Sequence, residues 1–231
     1  MDITIVSYNL HAGFDINMRH APGAAARVLQ SLPFHAVVLQ EVDWRTRRGN
    51  GRDMARDFQD IAGADTSFFS AFDYDGGRYG LAIARRLPLL REERADLSVP
   101  GAMEPRIACA SLLLAGENPL WVVNTHLGLD DGERRVQAQT LAGFIAGLPG
   151  PLVLMGDFNT QDDDVLAPLT RQGLSEAPNL QPTFPAAHPE QRIDRAFVRS
   201  GVRVVCCLAL DHQPFLSISD HRPLWLTVEL G

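Results

Sequence analysis

"GPLVLMGDFNTQDDDVL", residues 150–166, is the stretch on which the reading of this chain turns. Pro151 to Met155 form an apolar run of strand length that stops at Gly156 and delivers Asp157, Phe158 and Asn159. Side chains two apart on an extended segment face the same way. Asp157 and Asn159 can therefore address one site while Phe158 packs behind them. Gly156 is read as the residue that lets the backbone come close to that site. Asp162, Asp163 and Asp164 open the next helix, where negative charge is favoured, and are not read as ligands.

The same pattern recurs along the chain. "ITIVSYNLH" ends in Asn9, "AVVLQEVD" in Gln40 and Glu41, and "PLWVVNTHLG" in Asn124 and His126. "RIDRAFV" opens with Asp194, and "SDHRPL" places Asp220 and His221 just before the last strand. Each has an ordinary explanation alone: a turn-closing Asn, an Asx turn in "GDFN", a structural His. Their joint occurrence at strand ends is the informative regularity. Polar groups at the rim of a core need partners, and oxygen ligands gathered there point to a metal ion. Carboxylate and amide oxygens of Glu41, Asp157, Asp220, Asn9 and Asn159 suit a hard cation, Mg²⁺ or Mn²⁺. The short-spaced His/Cys sets of zinc are absent.

Strand-like runs fall at Ile3–Tyr8, Ala36–Gln40, Tyr79–Ala84, Ile107–Leu114, Leu120–Thr125, Leu152–Met155, Ile193–Val198, Val202–Leu210 and Leu224–Glu229. Helices are expected at "PGAAARVLQSL", "GRDMARDFQDIA", "DGERRVQAQTLAGFIAGL" and "QDDDVLAPLTRQ". Strand and helix alternate only in the first half; later strands follow one another directly. That favours two packed mixed sheets flanked by helices over a doubly wound parallel sheet. With no repeat, low-complexity tract or long linker, residues 1–231 read as one domain.

Composition is that of a globular chain of 231 residues, 45% hydrophobic and 21% charged. The net charge is −7, and every basic residue is Arg. An acidic chain is a poor non-specific partner for nucleic acid, although a local basic site stays open. Three Cys give neither a disulfide framework nor a zinc pattern, and Cys206–Cys207 read as small core residues rather than a redox pair. "MDITIVSYNL" lacks the features of a secretory signal, and no apolar run reaches membrane-spanning length, so the default expectation is cytoplasmic.

The ordered set "SYNLHAG", "LQEVD", "RYGLAIARR", "PRIA", "VNTHLG", "GDFNT", "RIDRAFV" and "SDHRPL" resembles the endonuclease/exonuclease/phosphatase superfamily, from Ser7 to Pro223. The resemblance implies a four-layered α/β sandwich and metal-dependent hydrolysis of phosphate esters. It also implies roles. Glu41 matches the principal metal carboxylate, and Asn9 and Asp220 match positions completing the metal's shell, partly through water. Asp157 and Asn159 match the pair that positions the nucleophile and the scissile phosphate. His221 matches a histidine acting as base or phosphate stabiliser, Asp194 the carboxylate paired with it, and His126 a second histidine near the phosphate or leaving group. Arg106 and Tyr79 fall where phosphate-contacting side chains are placed.

The expected activity is hydrolysis of a phosphodiester by an activated water, with substrate identity open among DNA or RNA, a phospholipid or sphingomyelin-type lipid, and a phosphomonoester. A non-catalytic scaffold would have lost such residues, and none is missing. No protein partner is indicated. Arg45, Arg47, Arg48 and Arg52 after Glu41 either overhang the site as phosphate forks or form a solvated loop paired with Asp43 and Asp53. Trp44 either stacks on a base or sugar or packs under that loop.

Overall fold

The structure is a computed structural model that describes residues 1–179 and 181–231. The first half runs β1 (Asp2–Asn9), α1 (Ala24–Leu29), β2 (Ala36–Trp44), α2 (Met54–Ala62), β3 (Asp65–Tyr74), β4 (Gly77–Arg85), β5 (Leu89–Asp96), β6 (Ile107–Ala115) and β7 (Asn118–His126). It continues with α3 (Asp131–Ala146), β8 (Leu152–Asp157), α4 (Asp163–Arg171), β9 (Leu174–Glu176), β10 (Asp194–Arg199), β11 (Val202–Ala209) and β12 (Leu224–Leu230).

Two six-stranded sheets result, ordered β11-β12-β1-β2-β4-β3 and β5-β6-β7-β8-β10-β9. Both use the same sequence of pairings. In each, one central pair is parallel, β1 with β2 and β7 with β8, and all other neighbours are antiparallel. A parallel pair needs a crossover, and α1 and α3 supply them. Both central pairs therefore end at their carboxyl ends on one rim, where open sheets place ligands.

Alternation along the strands decides the layers. Ile3, Ile5, Val38 and Ile83 of the first sheet meet Ile107, Val122, Val153 and Met155 of the second in the inter-sheet core. Their neighbours in sequence point the other way: Val6, Val37 and Leu39 pack on α1 and α2, while Val123, Leu152 and Leu154 pack on α3 and α4. Burying each such side chain contributes roughly 1.5–3 kcal/mol. The expected four-layered sandwich of two mixed sheets between helices is what forms. No helix among the described residues is long and apolar enough to cross a membrane.

Three strands escape the sequence reading: β3, β5 and β9. β5 is mostly exposed and reads "LLREERAD", the charged composition that blunts a sheet edge. β3 is half-buried along its length and lacks clean alternation. Both are edge strands. The helices fall where expected, with Asp53, Asp130 and Asp162 accepting first-turn N–H groups as N-caps. Asp163 and Asp164 lie in the first turn of α4, as their charge predicts. Cys206 and Cys207 are half-buried beside a bulge in edge strand β11, not core residues on both sides.

Gly156 has a different purpose from the expected one. A Cβ there would stand 2.1 Å from the Thr125 carbonyl oxygen, so glycine is required by the approach of β7 to β8, not by the site.

Candidate active site

Strand register builds one row of the site. His126 on β7 is paired with Asp157 on β8, and Asp157 is paired in turn with Asp194 on β10. The first sheet brings Asn9 from the end of β1 and Glu41 from β2. Glu41 lies where the β2–β4 ladder slips between Leu39 and Val42, with φ of 56°. A bulge re-aims a side chain, and a non-glycine residue in this region costs on the order of 1–3 kcal/mol. The rest of the fold holds Glu41 in that conformation.

Asp157 is the hub. Its Oδ2 accepts from Asn9 Nδ2 at 3.0 Å and lies 3.5 Å from His126 Nε2 and 3.6 Å from His221 Nε2. Its Oδ1 accepts the Asn159 backbone N–H at 2.9 Å. Asn159 has φ of 51°, and its side-chain Nδ2 donates to the Leu127 carbonyl. Asn159 thus reaches the cleft through a turn, not through strand alternation with Asp157. Phe158 is fully buried against Phe197, as the spacing predicts. Asn9 also donates Nδ2 to Glu41 Oε1 at 3.1 Å, while its Oδ1 accepts the His11 N–H. A backbone N–H can only donate, which fixes the amide orientation: Asn9 turns its N–H₂ to the carboxylates and ties Glu41 to Asp157.

The two histidines are set in opposite states. His221 Nδ1 donates to Asp194 Oδ2 at 2.8 Å, and Thr183 Oγ1 donates to the same oxygen at 2.5 Å. Burial lowers the affinity of His221 for its proton, but Asp194 and Asp157 outweigh that and bring the pKa up to about 10. His126 Nδ1 faces Arg106 Nη1 at 3.2 Å. A guanidinium only donates, so Nδ1 is the acceptor and Nε2 carries the hydrogen. Burial, then the Arg106 and His221 charges, hold the His126 pKa well below the ordinary value. Asp157 is pushed up by burial, with His221 opposing, to about 7.

Glu41, His126, Asp157, Asn159 and His221 line a cleft of about 580 Å³ together with Tyr79, Arg106 and Asp220, with Asn9 and Asp194 hydrogen-bonded behind Asp157 and His221. Asp220 is placed by Ser219, whose Oγ donates to the Asn9 carbonyl at 2.7 Å and accepts the His221 N–H. Burial and the Glu41 charge keep the Tyr79 phenol protonated. All ten residues named from the sequence as site candidates thus belong to one rim. Gln40 and Asn124, also at strand ends, do not enter it. Gln40 donates to Asn124 Oδ1 at 2.7 Å, and Asn124 donates to the Leu39 and Ala82 carbonyls, which ties the two sheets together.

Of the four arginines after Glu41, Arg48 alone lines the cleft, forked onto buried Asp43 and lying over Tyr74. Arg45 lies over Trp44, Arg52 pairs with Asp57, and Asp53 caps α2. Trp44 lines a separate surface groove with Arg78. Arg48 is thus the one of the four expected forks that reaches the site, whereas Thr183 behind Asp194 and His11, whose Nδ1 is 3.7 Å from Asp220 Oδ1, were not foreseen. His11 stands in the "NLHAG" motif and had a signal; Thr183 had none.

The donor set fits a hard divalent cation. Glu41, Asp157 and Asp220 bring a surplus of negative charge into one cleft, and burial holds the Glu41 carboxyl above its ordinary range. Asp157, Asp194 and His221 also bring ligand atoms within 4.8 Å of one another. The Asp194–His221 hydrogen bond already engages two of those atoms, so the Glu41–Asp220 side is the better fit.

A model of the endonuclease/exonuclease/phosphatase family matches residues 6–221. The uncharacterized protein YbhP of Escherichia coli is 31% identical over 167 residues, 68% of this chain; the match spans 65% of that relative's length. The crystal structure of an endonuclease/exonuclease/phosphatase from Bacteroides vulgatus superposes with a TM-score of 0.82 at 21% identity, covering both chains fully. The mannosyl-6-phosphatase Bt3783 of Bacteroides thetaiotaomicron superposes with a TM-score of 0.77 at 20% identity over 99% of each chain. These two likenesses concern the fold. Members of the matched family are mostly phosphoester hydrolases and typically use a divalent metal. By the reach of that match and the fold that carries it, the chain belongs to the endonuclease/exonuclease/phosphatase family.

Proposed function

We propose that the protein is a divalent-cation-dependent phosphoesterase that hydrolyses a phosphodiester by in-line attack of water. One observation carries the reading: Asp157 Oδ2 lies at the meeting point of Asn9 Nδ2, His126 Nε2 and His221 Nε2, beside Glu41. That arrangement sets one proton acceptor among several hydrogen-bond donors, as attack by water on an anionic phosphorus centre requires.

Glu41 and Asp220 would hold Mg²⁺ or Mn²⁺, with Asn9 fixing the Glu41 carboxylate. A bound cation would offset charge on the phosphoryl and departing oxygens. Asp157 and His221 are 3.6 Å apart, too close to serve opposite ends of an in-line displacement. They act at the same end. Asp157 takes the proton of the attacking water, and His221, held as imidazolium by Asp194, donates Nε2–H to a phosphoryl oxygen. His126, with its hydrogen fixed on Nε2 by Arg106, and Asn159, with a second amide hydrogen beyond the one given to Leu127, are further donors. The Tyr79 phenol and the Arg106 guanidinium face the same space.

The test is a screen of the purified chain with Mg²⁺ or Mn²⁺ over bis-p-nitrophenyl phosphate, p-nitrophenyl phosphate, DNA, RNA, sphingomyelin and inositol phosphates. Diester hydrolysis abolished by EDTA and by Glu41→Ala, and lowered on the order of 10²–10⁴-fold by His221→Ala, is expected. Turnover without a metal, or full activity in Glu41→Ala, sinks the reading. Monoester turnover above diester turnover would replace the diester with a phosphomonoester.

A further inference from the structure

Among the described residues, three arginines enter the cleft, and each is paired with a carboxylate. Arg48 is forked onto Asp43 at 2.7 and 2.8 Å, Arg106 pairs with Glu104 at 3.0 Å, and Arg134 pairs with Asp131. Glu41, Asp157 and Asp220 face the same space, and Asp194 stands behind His221. Such a field, even with one divalent cation bound, opposes a ligand carrying phosphates in series. It leaves room for a single negative charge at the hub.

The rim beside that hub carries two exposed apolar side chains, Met103 and Leu129, among the charged groups of Glu104, Arg106, Asp130 and Glu133. Leu129 is 72% exposed and Met103 91% exposed. They flank a hollow of about 130 Å³ that shares Glu104, Arg106 and Leu129 with the main cleft. Apolar cavities of about 150 Å³ hold a benzene ring, so the hollow has the size of an aryl ring or a short alkyl segment. Phe72, Tyr74 and Tyr79, which also line the cleft, form an aromatic cluster with centroids 5.4–6.2 Å apart, and Tyr74 is 39% exposed. Large apolar side chains left open next to a polar site mark a place for an apolar group.

We propose that the cleft selects a monoanionic phosphodiester with one uncharged apolar substituent, an aryl group or short alkyl chain, seated between Met103 and Leu129. This rests on the phosphoesterase reading and narrows its substrate.

The test uses the full chain with Mg²⁺ and a series of p-nitrophenyl phosphodiesters sharing the leaving group, with methyl, phenyl or hexyl as the second ester, and tetrathymidylate as the polyanion. The phenyl or hexyl ester should exceed the methyl ester in kcat/KM by about 10-fold, the scale of burying one such group. A phenyl preference assigns the hollow to an aryl group, a hexyl preference to an alkyl chain. Leu129→Ser and Met103→Ser, both at exposed positions, should each bring the ratio towards one. Calorimetry with methyl(phenyl)phosphinate, a monoanion with no ester bond to cleave, should show the same weakening in Kd. Equal rates along the series, a ratio and Kd indifferent to both variants, or faster cleavage of tetrathymidylate overturns the inference while the phosphoesterase reading stands. No turnover of any ester removes both.

Discussion

His126 at the end of β7 and His221 in the loop before β12 approach the same oxygen, Asp157 Oδ2, from 3.5 and 3.6 Å. What stands behind each differs. His221 is backed by the buried carboxylate of Asp194, itself held by Thr183, and His126 by the guanidinium of Arg106. One partner draws a proton onto the ring and the other repels it. Two identical side chains on one carboxylate thus become an imidazolium and a neutral N–H donor. The backing group, more than the ring, sets the role of each flank.

Asp194→Asn is the hardest blow to this contrast. It removes the charge that keeps His221 protonated, and activity should fall on the order of 10²–10⁴-fold. In the metal-free protein, NMR titration should find His221 protonated up to about pH 10 before the substitution and well below that after it. The sign follows from linkage. The folded pKa is above the ordinary histidine value of 6.5, so the contribution to stability is complete below pH 6.5 and lost as pH rises towards 10. Wild-type His221 titrating near 6.5 would break the comparison.

Arg106→Met strikes the other flank. His126 Nδ1 loses a charged donor, whose worth of roughly 1.5–3 kcal/mol corresponds to about 10–100-fold in kcat/KM. The His126 pKa should rise in the same metal-free titration, since the Arg106 charge no longer opposes protonation. Unchanged activity together with an unchanged His126 titration would show that Arg106 backs nothing. Thr183→Val is the mildest change. It removes one hydrogen bond to Asp194, about 1 kcal/mol, or several-fold in rate. An upward move of the His221 pKa should accompany it, because Thr183 no longer competes for the Asp194 oxygen that accepts from His221, and a stability loss without that move would assign Thr183 to folding alone.

How far the sequence reached differs between residues. Asp157, Asp194 and His221 stood beside apolar runs whose burial was readable, so their place at a rim followed from strand period alone. Glu41 did not follow from period. A residue later on an undisturbed β2, it would alternate with Gln40, and the slip in the ladder with a left-handed backbone aims it instead. The joint aim of Asp157 and Asn159 was expected for the wrong reason: a turn closed by the Asp157 carboxylate presents Asn159. Edge strand β5 was missed because exposure and charge there serve solubility rather than packing, and β3 because it is half-buried along its length, without the alternation that marks a strand.

By itself, the sequence determined the layers and the chemistry on offer: alternation fixes which faces are buried, and strand ends rich in Asp, Glu, Asn and His fix what the rim can do. Only the tertiary structure decided which of these residues meet. Gln40 and Asn124 were drawn into a clasp between the sheets, while their neighbours Glu41 and His126 entered the cleft. Only the structure also decided the state of each group. A histidine's charge depends on what lies behind it within a few ångströms, and residues far apart in the chain supply those neighbours.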